Sequence, residues 1–295
     1  MCWRLQLIGI YLTISNIWVK ELGAYSQRKS NNNKQHITDP ELATIFIFGL
    51  ISGHRELKSI HKYANDHLID WFPNLPSYQA FNYRMNRLST SFFVLCQRIQ
   101  EYCEDVMELE NKWILDSMPI VLAQGSRSFT AKVARGVADK GYCPSKKMNY
   151  HGIKLHTIGS CVEGSIPIPY HITITNAKMH DLPASREDIL NLKDGLLLCD
   201  KAYCDFLLKN KCKEENQLVL VTPIKKPKNR ELTEEQKSFS RLVSKFRQPI
   251  ESFFNWIHQK TGIQMASKVR STQGLSLHIF GRLAAGMLMR ILPSA

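Results

Sequence analysis

Three acidic residues stand in settings that ask for chemistry: Asp116, Asp200 and Glu251. Asp116 lies inside the apolar run WILDSMPIVL (113–122), and Asp200 directly follows GLLLC (195–199). Glu251 sits beside the apolar face of a helical pattern near the end of the chain. A carboxylate embedded in an apolar strand is costly to bury unless it is paired or holds a cation. Phosphoryl transfer gives such acids a purpose. Hard oxygen ligands suit Mg²⁺, and two such ions about 4 Å apart activate an attacking oxygen and stabilise a leaving one. Each acid also has an ordinary reading. Asp200 can cap a following helix, Asp116 can accept a hydrogen bond from Ser117 or a turn, and Glu251 can be a solvated helix residue. The chemical reading rests on all three, in this order, on two strands and one helix.

The charge balance points to the substrate class. The 295 residues carry 39 Lys+Arg against 26 Asp+Glu, a formal +13. A surplus of that size favours a polyanion, because basic groups near phosphates release condensed counterions. Nucleic acid is the expected partner; no acylation signal or basic membrane anchor supports the rival, a lipid surface. Candidate phosphate contacts are Lys154, His156 and the basic loop KKPKNR (225–230), which includes Lys225 and Lys226. Arg247, Glu251, Asn255 and His258 fall on one stripe at helical spacing and are read as an edge facing DNA. The alternative is a polar edge beside the core for the stripe, and solvated charge for Lys154, His156 and the basic loop. His180-Asp181 is placed near the site, with helix capping by Asp181 the preferred reading.

The eight cysteines contain no C-x-x-C pair, which argues against a structural zinc site and for reduced, buried thiols in a cytoplasmic protein. The apolar N-terminus, WRLQLIGIYLTISNIWV (3–19), lacks a small-residue cleavage site and is short for a membrane span. It is read as a buried helix, and no membrane partner is expected.

The elements that must position the acids are legible in outline. An Asn-rich stretch (26–37) reads as a linker. Asp39-Pro40-Glu41 reads as a helix start with Asp39 as cap. Helices are expected at about 54–66 and 77–104, the latter capped by Ser77, so residues 1–106 form an all-helical region expected to bind DNA ends. From 107 to 295 the pattern changes. WILDSMPIVL is a strand, and 125–147 a surface loop. Residues 149–161 and 165–175 make a hairpin about VEGS. A helix is expected from Asp181 to Leu192. GLLLCD follows as a strand buried on both faces, then a short helix at 202–211 and a strand at 217–223. A long helix closes the chain, its inner face read as Leu242, Phe246, Ile250, Phe253 and Ile257. The fold class is therefore α/β: a mixed five-stranded sheet flanked by helices, in the RNase H-like order, preceded by an all-α N-terminal region.

The motifs along residues 111–292 resemble those of DDE-type transposases of bacterial insertion sequences. Asp116 lies in WILDSMP, and Gly152-Ile153-Lys154-Leu155-His156 is similar to the family's G-x-K-x-H strand, followed by a Gly-x-x-Pro turn at Gly164–Pro167. Asp200-Lys201-Ala202-Tyr203 matches D-x-x-Y, and Arg247 to Phe254 matches R-x-x-x-E-x-x-F. Two positions depart: Ser244 and His258 stand where the family often has Tyr and Lys. The resemblance implies a catalytic and metal-binding triad of Asp116, Asp200 and Glu251, holding two Mg²⁺ ions for which Mn²⁺ can substitute. It implies DNA contacts from Tyr203, Arg247 and their neighbours. It also implies double-stranded DNA as partner, both terminal inverted repeats and target, with a homo-oligomer assembling on it. An RNase H-like nuclease without strand transfer, and an inactive DNA-binding protein of the same fold, are the rivals.

Overall fold

The computed structural model describes residues 2–25, 36–144, 146–227 and 231–292. Most of the expected Asn-rich linker, and residues 228–230 of the basic loop, lie outside them. In chain order the elements are α1 (Trp3–Lys20), α2 (Asp39–Ile51), α3 (Leu57–His67), α4 (Tyr78–Arg87), α5 (Ser89–Val106), β1 (Leu109–Gln124), α6 (Arg127–Thr130), β2 (Asp139–Cys143), β3 (Met148–Val162), β4 (Ile168–Asn176), α7 (Asp181–Asn191), β5 (Gly195–Cys199), α8 (Phe206–Asn216), β6 (Leu218–Val221), α9 (Glu234–Thr261) and α10 (Thr272–Ile291). Two compact units result. One joins Met1–Val106, Lys132–Ala134 and Ile257–Ala295; the other joins Met107–Ala131 and Arg135–Trp256. The C-terminal segment thus groups with the N-terminal helices and not with the sheet.

In the helical unit, α2 is apolar almost all round and correspondingly buried from Leu42 to Leu50. Its cap is Thr38, one residue earlier than expected. The Thr38 hydroxyl accepts from the Glu41 amide, and the Glu41 carboxylate accepts from the Thr38 amide at 2.6 Å, a reciprocal capping box. Asp39 instead accepts from Arg84 at 2.5 Å. The helix expected over 77–104 breaks at Leu88 into α4 and α5; Ser77 does cap the first. α10 packs against α5 and α2, and Gly281 makes this possible: a Cβ there would stand 2.5 Å from the Phe46 ring.

The sheet of the second unit runs β2-β3-β1-β5-β6, with β4 also on β3. It has six strands, one more than expected. The addition is β2, inside the segment read as a loop. β2 and β4 share one edge of β3 end to end, β2 along Met148–Gly152 and β4 along Ile153–Ser160. β1 is antiparallel to β3 and parallel to β5, which is parallel to β6. The strand order and helical cover are those of the RNase H-like fold. Gly152 marks a tight crossing: a Cβ there would lie 2.1 Å from the Ile120 carbonyl oxygen, beside the irregularity in β1 at Val121/Ala123.

One helix start and one helix face differ from expectation. The helix expected at 202–211 begins at Phe206, where the Asp205 carboxylate accepts from the Leu208 amide at 2.8 Å; Lys201–Tyr203 form a 3₁₀ turn instead. On α9, Ile250 and Phe253 are buried as expected, but Leu242 and Phe246 are exposed, and Val243 and Arg247 take the inner positions. Pro249 lies within α9 and does not end it. No described helix is long and apolar enough to cross a membrane.

Candidate active site

The register of two parallel strands brings the first two acids together. Leu115 of β1 pairs with Cys199 of β5, so Asp116 and Asp200 are the next residues at the same level of adjacent strands. Arg247 of α9 spans them. Its Nη2 donates to Asp116 Oδ2 at 3.0 Å, and its Nη1 stands 3.5 Å from Asp200 Oδ1. The other Asp116 oxygen, Oδ1, accepts from the Ser117 amide at 2.8 Å. The ordinary reading of Asp116 is thus present beside the ionic one. Asp200 precedes the 3₁₀ turn, but its side chain caps nothing. Glu251 follows Arg247 by about one turn of α9 and is exposed.

Burial decides the electrostatics. The Asp116 side chain is 23% exposed and that of Arg247 only 7%. Burial raises the Asp116 carboxyl to about 6; Arg247 and the Ser117 amide pull it down, while Asp200 and Glu251 push it up. The Nε of Arg247 is buried and has no hydrogen-bond partner.

A second cluster adjoins the first. The Asp181 carboxylate accepts from Lys154 Nζ at 3.0 Å and from Ser117 Oγ at 3.3 Å, and His156 Nδ1 stands 3.9 Å away. Asp181 therefore does not cap α7; it is the helix's first residue, and ties α7 to β3 and β1. His156 is buried and shares a 2.8 Å hydrogen bond with Thr175 Oγ1; burial lowers its imidazole to about 4. Tyr203 is buried, with Ser185 as its side-chain neighbour, and Thr157, opposite Asp116 in the β1–β3 register, has an unsatisfied hydroxyl. Burial raises the Tyr203 phenol, with Asp181 and Asp116 adding to the effect.

The expected DNA contacts are distributed unevenly. His156 and Tyr203 are 1% exposed and offer no surface to a phosphate, contrary to expectation. Lys154 is turned toward Asp181 and the Met179 carbonyl. Lys225, Lys226 and Asn255 are exposed, and Lys226 pairs with Glu231. His258 belongs to the helical unit, where its Nδ1 accepts from the Gln264 amide at 3.3 Å. Asp181 and Ser117 stand beside the acids, as their place in the sequence suggested, whereas Thr157 was not anticipated. The signal for Thr157 was its position directly after His156.

Among the described residues, no three His, Cys, Asp or Glu side chains stand close enough to hold one metal ion as the chain is arranged. The chemistry of the donors nevertheless fits a hard divalent cation. Asp116 and Asp200 face one positive group between them, and Glu251 adds to the negative field at Asp116. No curated protein and no solved structure matches the chain. A family model described as the transposase DDE domain does match, over residues 111–288, from the start of β1 nearly to the end of α10. The acids, the sheet that aligns them and this match over more than half of the sequence place the chain in one family: it belongs to the DDE-domain transposases.

Proposed function

We propose that this transposase binds the ends of its own insertion sequence, cleaves a strand there to free a 3′-OH, and joins that end to target DNA. The observation that carries the reading is the alignment of Asp116 and Asp200 on adjacent parallel strands, both facing the guanidinium of Arg247, with Glu251 one turn further along the same helix. Asp116, Asp200 and Glu251 would hold Mg²⁺. Bound there, the metal would supply Lewis-acid stabilisation to an attacking and a leaving oxygen.

The chain's own groups prepare that site. The Ser117 amide fixes the orientation of the Asp116 carboxylate. Arg247 neutralises the two aspartates while the acids stand without a metal, and turns to a DNA phosphate once they are otherwise compensated. Lys225, Lys226 and Asn255, all exposed, meet the backbone of the substrate, and His258 of the helical unit is a further DNA contact. Lys154, His156 and Tyr203 act one layer below, holding Asp181 and the sheet in place. Active protein works as a homo-oligomer on two DNA ends.

Asp200→Asn keeps the side chain's size and removes one anionic ligand. Gel shift with end-containing duplex DNA should remain near wild type, while Mg²⁺-dependent cleavage and joining are lost by at least about a hundredfold, as for loss of an essential electrostatic group. Wild-type joining by the variant would sink the mechanism. Cleavage without joining by the unaltered protein would assign the nuclease reading instead.

A further inference from the structure

A cavity of about 860 Å³ lies wholly within the helical unit, away from the acids. Its walls are the start of α3, one face of α4, the segment between α9 and α10, and the first turns of α10. Five basic side chains line it: Arg55, Lys58, Lys268, Arg270 and Arg282; Glu56 is the one acid among the lining residues. None of the five forms an ion pair with a described residue.

Solvated surface charge is the ordinary fate of Lys and Arg, but these arginines are held. Arg282 is 7% exposed and gives all its hydrogen bonds to carbonyl oxygens, those of Thr261 at 3.0 Å, His278 at 3.2 Å and Arg55 at 2.5 Å. Arg55 donates to the Gln259 carbonyl at 2.6 Å. Arg270 donates to the carbonyls of Ser267 at 2.7 Å and Val269 at 2.9 Å. Carbonyl dipoles fix where these guanidiniums stand and leave their net charge uncompensated. A buried charge without a counter-ion is costly; Arg282 is that charge, and Arg55, Lys58, Lys268 and Arg270 stand exposed around it without ion-pair partners, so positive charge gathers where an anion can enter. Ser271 caps α10 at the same place, its hydroxyl accepting from the Gly274 amide at 3.0 Å, so the positive end of a 20-residue helix adds to the field. Tyr78, Tyr83, Asn82 and Asn86 complete the lining with aromatic and amide groups.

We infer that this cavity is a seat for the phosphodiester backbone of DNA, formed jointly by α3, α4 and the α9–α10 segment. The phosphates meet Lys58, Lys268 and Arg270, and Arg282 supplies charge from beneath. Its volume exceeds a lone phosphate and suits a short run of backbone with sugar or base against the tyrosines. The identification of the polyanion as DNA rests on the proposed transposase function; the anion site itself does not.

Lys268, Arg270 and Lys58 are exposed, so their replacement leaves the packing intact. The test compares K268Q/R270Q with K20Q/K62Q, which removes the same charge from positions of the same unit outside the cavity. Duplex DNA affinity is read by fluorescence anisotropy across a salt series, in protein without added metal. For K268Q/R270Q the slope of log affinity against log salt should fall by roughly 1.8, that is about 0.9 for each phosphate no longer neutralised. Affinity at low salt should drop at least about tenfold, with K20Q/K62Q staying near wild type. Should K268Q/R270Q melt early, Lys58→Gln reads the same effect with one charge, about 0.9 in slope. Equal losses in both double variants would mean diffuse charge and overturn the inference. So would millimolar inorganic phosphate or a mononucleotide binding in calorimetry while the DNA slope of K268Q/R270Q stays unchanged, since the cavity would then serve a small anion. In either case wild-type DNA binding leaves the transposase reading standing; wild-type protein that binds no DNA sinks both.

Discussion

Arg247 is where the ionic logic of the site concentrates. Its guanidinium is buried against Asp116 and reaches Asp200, while its Nε has no partner. Replacing it by Gln leaves a mostly buried carboxylate facing a second one with nothing between them. Removing one member of a buried pair costs a few kcal/mol, though the half-exposed Asp200 contact is worth little. Arg247→Gln should therefore destabilise the chelator-treated protein by about 3 kcal/mol in urea titrations, and Mg²⁺ should restore part of that stability. An unchanged midpoint would show that the guanidinium is idle. The residue was visible in the sequence as part of R-x-x-x-E, yet its partner was not. Which side of α9 meets β1 and β5 depends on tertiary packing, and the apolar spacing suggested the wrong inner positions, Leu242 and Phe246 in place of Val243 and Arg247.

At the scale of elements, the strands carrying the acids were legible because they are apolar runs bounded by polar segments. β2 was not. Its sequence, DKGYC, has no alternation, because it sits at an edge of the sheet and buries little beyond Cys143. Helix ends moved by a residue or a turn where two candidates competed for one role. Thr38 caps α2 beside Asp39, and Asp205 caps α8 in place of Asp200 as the polar residue before a helix. The β1–β3 crossing at Gly152 gives the clearest test of strand geometry. The atom an added methyl would strike is the backbone carbonyl oxygen of Ile120, which cannot rotate away. Gly152→Ala should cost about 2–4 kcal/mol by forcing the two strands apart. Circular dichroism melts would show it; a stability change under about 0.5 kcal/mol, the size expected of a neutral substitution, would mean the two strands yield easily at this point.

Over the whole molecule, the grouping of 257–295 with the N-terminal helices could not be read from local pattern, since it depends on contacts between the two ends of the chain. The two units share one titration behaviour. Burial holds His156 and His171 in the sheet unit, and His278 in the helical unit, below the ordinary imidazole range. The unfolded chain takes up these protons first. Their contribution to stability is therefore fully present above about pH 6.5 and is lost as pH falls below it, for His156 down to about 4. Asp116, raised to about 6, acts in the opposite sense: the folded state keeps its proton longer, so stability declines as pH rises from about 4 to 6. Three imidazoles act in one direction and one carboxyl in the other. The melting temperature should fall between pH 7 and pH 5, with His156 alone accounting for up to about 2 kcal/mol over that range. His278→Gln, whose amide can still donate to the Ile263 carbonyl, should flatten that dependence. A melting temperature that rises on acidification would contradict the sign.

The distribution of sulfur sets how this protein can be watched. Six of the eight cysteines are buried, and Cys2 and Cys204 are exposed. Burial pushes the thiols of Cys96, Cys199 and Cys212 upward, Cys103 to about 12 and Cys161 to about 11, so they present almost no thiolate at neutral pH. A maleimide dye should attach at two positions on native protein and at all eight cysteines after denaturation. With Cys2→Ser the single remaining fluorophore sits at Cys204, next to Tyr203 and just past Asp200 along the chain. Its emission becomes an optical gauge of what enters the acidic pocket, readable in real time and without any cleavage of DNA.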